Sequence, residues 1–142
     1  MSYTKLVLTA FLCLSLSFIK AQCPGCVPVD CSAQLPDGGI CDTALPTGMV
    51  NLAYDEKVSF YMPTTVVDPG TGFTVELRRI KITGITGLPI VIDWESDKSG
   101  SNDTYRPTNG DNFGCVRFCG TSIQAGTFNI TVYLSADVFV PA

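Results

Sequence analysis

Seven cysteines, thirteen carboxylates and no histidine define the chemistry open to this 142-residue chain. The missing histidine removes the commonest general base, the Ser-His-Asp and Cys-His arrangements, and histidine-held metals. Carboxylate pairs, Ser-Lys dyads and cysteine thiolates remain. Asp93 and Glu95 have the i, i+2 spacing that puts two carboxyls on one face of a strand, as a glycosidase-type acid/base pair would require. The competing reading is an edge strand ending in a solvated loop, and for a domain this small it is the expected one. No catalytic residue, cofactor or metal is therefore assigned. Asp97-Lys98-Ser99-Gly100-Ser101-Asn102-Asp103 alternates oxygen-bearing side chains as a calcium loop does. Its glycine is misplaced for an EF-hand and position twelve falls on Thr108 rather than Glu, so a solvated loop is expected there too. Trp94, Tyr105 and Phe113 bracket that loop and are expected to pack rather than bind.

The cysteines are the stronger signal. Cys13 lies in an N-terminal apolar run, leaving Cys23, Cys26, Cys31, Cys41, Cys115 and Cys119. Cys23-x-x-Cys26 and Cys115-x3-Cys119 could together offer four thiolates to zinc. In an exported chain an even number of cysteines reads instead as disulfides, with fifteen connectivities open for six. Cys23-x-x-Cys26 also matches a redox spacing, but it sits in Cys-Pro-Gly-Cys-Val-Pro, which is turn chemistry without a helix N-terminus to activate a thiolate. If 114–120 is one extended strand, Cys115 and Cys119 share a face about 13 Å apart at ~3.3 Å per residue. Disulfide Cα atoms lie within about 7 Å. Either the segment turns sharply or each cysteine pairs elsewhere, with the N-terminal cluster a natural source.

Export is read from the first 21 residues. Lys5, an uncharged apolar run from Leu6 to Ile19, and Ala21 as the small residue before a cut follow the order of a cleavable signal peptide. The run is too short for a bilayer-spanning helix, which needs about 20 apolar residues, so no transmembrane segment is expected after cleavage. Lipidation at Cys23 is disfavoured because Gln22, not a small residue, precedes it. Loss of Lys5 and Lys20 leaves seven basic residues against all thirteen acidic ones. That balance argues against nucleic acid and anionic membrane surfaces as partners.

Three zones are expected beyond the signal. Residues 22–47 form a Cys/Pro-rich lead, where Pro24, Pro28, Pro36, Pro46 and Gly38-Gly39 interrupt any period. It buries little apolar surface by itself, so cross-links or docking must order it. Residues 48–142 read as one all-β domain. Lys57–Met62 is a strand stopped by Pro63, and Asp68–Gly72 is a turn. Residues 73–83 alternate with Phe73, Val75 and Leu77 on one face, then change parity at Arg78-Arg79 so that Ile80 and Ile82 resume on the other. One inserted residue does this, which predicts a β-bulge near Arg78. Ile90–Trp94 reads as a strand buried on both faces at its start. Residues 96–112 read as a polar loop, and 126–140 as a half-buried last strand in which Phe128, Ile130, Val132 and Leu134 alternate with polar partners. Asn102-Asp-Thr104 and Asn129-Ile-Thr131 match the N-glycosylation pattern. Short strands between Gly, Pro and Asn turns point to an antiparallel β-sandwich.

From Gly48 onward the chain resembles the Ig-like domains of secreted proteins from Bacteroidetes-type bacteria. The resemblance is carried by Leu45-Pro46-Thr47-Gly48, Asn51–Glu56, Ile82-Thr-Gly-Ile-Thr-Gly-Leu-Pro89, Gly114-Cys-Val-Arg-Phe-Cys-Gly-Thr121, Ala125–Val132 and Leu134–Asp137. It implies an Ig-like sandwich and a non-enzymatic module, with a Gly120 to Gly126 hairpin joining the last two strands. Asp42-Thr43-Ala44 resembles the short O-glycosylation motif of such bacteria. The chain departs from the family in having Ile90-Val91 after Pro89, without the usual second glycine. It also stops at Ala142, where relatives usually continue into further domains or a sorting domain for type IX secretion. The expectation is an exported Ig-like module for adhesion, spacing or display, secreted or at the cell surface with the periplasm open. Its partner would be a protein or carbohydrate. The alternatives are a small carbohydrate-active enzyme using Asp93 and Glu95, and a calcium-dependent adhesive module.

Overall fold

A computed structural model describes residues 23–41 and 44–141. The signal-peptide reading over residues 1–21 and the Asp42-Thr43 part of the glycosylation motif lie outside the described residues.

The alternation read in 73–83 becomes the longest strand, β4 (Thr74–Thr86). Val75, Leu77, Ile80 and Ile82 are its buried side chains. The parity change is a bulge: pairing to the last strand, β8 (Thr131–Phe139), shifts register between Leu77 and Arg79. A second shift falls between Ile82 and Gly84, re-aiming Ile85 to the face that Ile82 occupies. Phe73, expected on the buried face, is exposed just outside the strand, at the end of the turn that holds Asp68 N–H to its carbonyl. That turn joins β4 to β3 (Thr65–Val67), its hairpin partner.

The chain forms two antiparallel sheets. One is ordered β1 (Gly39–Ile40), β2 (Ala53–Tyr61), β7 (Phe113–Thr121), β5 (Ile92–Ser96). In the other, β4 is flanked on one edge by β3 and by β6 (Thr104–Tyr105), and on the other edge by β8. The core is the contact between the two sheets. Leu77, Ile80, Ile82 and Tyr105 from one side meet Val116, Phe118 and Met62 from the other. Phe60 stands edge-on to Tyr105 with ring centroids 5.3 Å apart, an arrangement favoured by the ring quadrupoles. Gly114 makes this possible, since a Cβ there would lie 2.4 Å from the Phe60 ring.

Residues 96–112, read as a polar loop, are instead stitched into the fold by the end of β5 at Ser96, two 3-10 turns and β6. Tyr105 and Pro107 are fully buried, and the Tyr105 hydroxyl donates to Asp97 Oδ1 at 2.7 Å. The same oxygen accepts the Cys115 N–H at 2.9 Å. Side-chain polarity conceals this, because the polar groups of the loop satisfy one another instead of water.

Three further expectations are corrected. The strand read over 90–94 begins at Ile92; Ile90 and Val91 are exposed, Val91 with φ 72° in the turn where Ile92 N–H reaches the Pro89 carbonyl. The Gly120–Gly126 hairpin does not form. Both edges of β7 are already taken by β2 and β5, so the chain crosses to the other sheet and pairs with β4. The last strand is not half-buried, since every residue of β8 is exposed. β8 flanks β4 beyond the reach of the first sheet, so its pattern is periodic without a covering layer.

Candidate functional site

The outer face of the first sheet is where the six cysteines meet. β7 is extended, and the antiparallel ladder turns Cys115, Arg117 and Cys119 to the face opposite Val116 and Phe118. The two cysteines do not pair with each other. Cys23 bonds Cys119 and Cys26 bonds Cys115, with Cα separations of 5.5 and 6.2 Å, while Cys31 bonds Cys41 at 5.7 Å. All six thiols are therefore in disulfides, and the zinc and redox readings have no thiolate left. The lead is clamped onto this face by more than sulfur. Arg117 makes a two-pronged pair with Asp55 and also donates to the Gly25 carbonyl. Lys57 Nζ reaches the Val27 carbonyl at 2.9 Å, and Val29 N–H donates to buried Ser59 Oγ at 3.1 Å. Hydrogen bonding to Arg117 holds the Asp55 carboxyl below its ordinary range. The hydrogen-bond partner of Ser59 is supplied by a segment thirty residues earlier.

Asp93 and Glu95 lie on this same outer face, paired across β5–β7 with Cys119 and Arg117. Asp93 accepts from the Trp94 N–H and Glu95 from Ser99 Oγ. The two carboxylates share a face, as their spacing requires, but neither lines the concavity that opens on the other side of the sheet.

That concavity is a cleft of about 490 Å³ at one end of the inter-sheet space. Inward residues Tyr54, Ile92 and Phe118 form one wall, and Phe128 and Ile130, leading into β8, form another. Leu45 to Val50 closes it from the lead side, with Tyr54 donating to the Pro46 carbonyl at 3.0 Å. Burial first, and the Glu56 carboxylate second, raise the Tyr54 hydroxyl above its ordinary pKa. The lining is mainly apolar, with Thr47, Ser122, Gln124 and Thr127 as its polar side chains besides Tyr54. It suits an apolar or aromatic group rather than an ion. No histidine, carboxylate pair or thiolate faces it, so it offers shape and hydrogen bonds but no acid/base couple.

The calcium reading fares differently. Asp97 is engaged by Tyr105 and Cys115, Asp103 accepts from Ser96 Oγ at 2.7 Å, and Asp111 is bonded by Lys98 at 2.8 Å. Among the described residues, no group of three or more His, Cys, Asp or Glu side chains is placed to hold a metal ion.

Set against family models, curated proteins and solved structures, the chain matches none. Its geometry has to carry any functional reading.

The cleft was not read from the sequence. Its walls come from five separate stretches of chain, and the one local hint was the apolar Leu45, Met49 and Val50 in a segment otherwise marked by turns. Among the described residues no helix is long and apolar enough to cross a membrane.

Proposed function

We propose that the chain is an exported, non-enzymatic Ig-like module that acts through binding, in adhesion, spacing or surface display, with a protein or carbohydrate as its partner. The observation that carries the reading is the strand order. An Ig constant-type sandwich has sheets A-B-E-D and C-F-G. Here β1-β2-β7-β5 follows the first order, and β4-β8 follows C-F in the second. Sequential lettering also agrees: β2, β4, β5, β7 and β8 occur in the chain as B, C, D, E and F. Three disulfides favour an oxidising compartment, in keeping with the export signal. The binding surface in this reading is the apolar cleft around Tyr54 and Phe118, and the Asp93–Glu95 face serves to anchor the lead.

The test is a binding and turnover screen on the exported protein against surface glycans and envelope proteins, with Tyr54→Ala and Asp93→Asn as paired variants. Retention that weakens at least tenfold in Tyr54→Ala and is unchanged in Asp93→Asn supports the reading. Hydrolysis of any glycan that Asp93→Asn abolishes would overturn it in favour of an enzyme. Mass analysis of the exported chain is expected to show an N-terminus at Gln22.

A further inference from the structure

The core stops abruptly between β4 and β8. Antiparallel partners share a face, so Val132, Leu134, Ala136 and Val138 lie on the same side as Ile85, Ile82, Ile80 and Leu77. Ile82 is 3% exposed, while Leu134 directly beside it is 61% exposed. The backbone repeats the asymmetry. Ile82 N–H turns away from β8 to the Asp103 carbonyl, and Tyr133 C=O turns toward β4, where Thr83 Oγ1 donates to it. Alternation along a strand then directs the N–H and C=O groups of residues 132, 134, 136 and 138 to the free edge of β8. No other described strand pairs there.

Natural edge strands are usually blunted by shortness, lysine, proline or a bulge. β8 has nine residues without proline, lysine or arginine, and both register shifts belong to β4. Its single charge, Asp137, is held by Arg79 on the outer face. An edge this long, apolar and unguarded is a template for another strand.

We infer that two copies of the chain associate through β8, pairing antiparallel about a two-fold axis at Ser135. Ser135 is the midpoint of the strand, so this register overlaps all nine residues. On the inner face it sets Leu134 opposite the partner's Ala136, large against small, and Val132 opposite the partner's Val138. These are also the residues whose backbone groups point outward, so the ladder is satisfied by the same pairs. On the outer face Asp137 meets the partner's Tyr133. The two Asp137 carboxylates stay four residues apart, roughly 13 Å, and each keeps its own Arg79. No like charges oppose. The result is isologous, as closed two-fold dimers require, and β4-β8 continues into the partner as one sheet. It rests on strand order and exposure; under the lettering above this edge of β8 is the one strand G takes in a C-F-G sheet, and the partner's β8 fills that place, so a monomer overturns the inference and leaves the lettering of β1 to β7 untouched.

Sedimentation velocity of the exported chain over a roughly hundredfold concentration range is expected to show a reversible monomer–dimer equilibrium. Leu134→Lys, a change at an already exposed position, is expected to weaken it at least tenfold with the three disulfides intact by mass mapping. Under mild oxidation, Ser135→Cys is expected to yield a dimer cross-linked at position 135, because opposed non-hydrogen-bonded residues have Cα atoms about 4.5 Å apart, within disulfide reach. Thr131→Cys, which this register places opposite position 139, is expected not to cross-link to itself. A chain that is monomeric throughout, a dimer indifferent to Leu134→Lys, or equal cross-linking at 131 and 135 overturns the inference.

Discussion

The Tyr105 hydroxyl and the Asp97 carboxylate, 2.7 Å apart, join the loop of residues 97–112 to the core. Tyr105 is fully buried, and Asp97 uses the same oxygen to hold Cys115 N–H at 2.9 Å. Replacing Tyr105 by Phe removes a hydrogen bond to a charged acceptor and is expected to cost about 1.5–3 kcal/mol, measured by urea unfolding. There is a pH signature as well. Burial, then the bond to Asp97, pushes the Tyr105 pKa far above its ordinary value. The unfolded tyrosine ionises near pH 10, so above that pH the native state keeps a proton that the unfolded chain sheds. Stability from this group is full below about pH 10 and falls above it, by roughly 1.4 kcal/mol per pH unit. The Phe variant is expected to lose that part of the alkaline slope.

Cys23–Cys119 and Cys26–Cys115 close nested loops, with sequence separations of 96 and 89 residues. Because either bond alone holds the lead near β7, their contributions overlap. Cys26→Ser with Cys115→Ser is expected to cost about 2 kcal/mol, and removal of both bonds about 4–5 kcal/mol. Denaturant curves of the two variants check this, with removal of the second bond costing more than removal of the first as the expected outcome.

Gly114→Ala would drive a methyl into the Phe60 and Tyr105 rings. Overpacking of that kind costs about 1–3 kcal/mol. Gly100, which has open space around it, serves as the control, and Gly100→Ala is expected within about 0.5 kcal/mol of the parent. Thermal melts of both variants separate a packing requirement from a general intolerance of alanine.

Calcium at millimolar concentration is expected to leave the Tm unchanged. Asp97, Asp103 and Asp111 already accept bonds from Tyr105, Ser96 and Lys98. Ligand-linked stabilisation would raise the Tm with concentration, so a dose-dependent rise in a calcium titration would show a site formed by rearrangement of these side chains.

What depends on near neighbours is legible in the chain alone. Alternation located β4, and the parity change at Arg78 located its bulge, because side-chain direction in a strand has a period of two. Strand spacing over residues 115–119 left their cysteines either a sharp turn or partners elsewhere, and the fold takes the second course. Asp93 and Glu95 fell on one face for the same reason. Tertiary structure decided whatever depends on the opposing layer. It sent β8 to β4 rather than to β7, whose two edges were occupied, and left an apolar pattern uncovered. It put Asp93 and Glu95 on the side away from the cleft. It turned a polar loop into a buried network around Tyr105, and it chose one disulfide connectivity among fifteen. Periodicity records which residues share a face; only the packed fold fixes what that face meets.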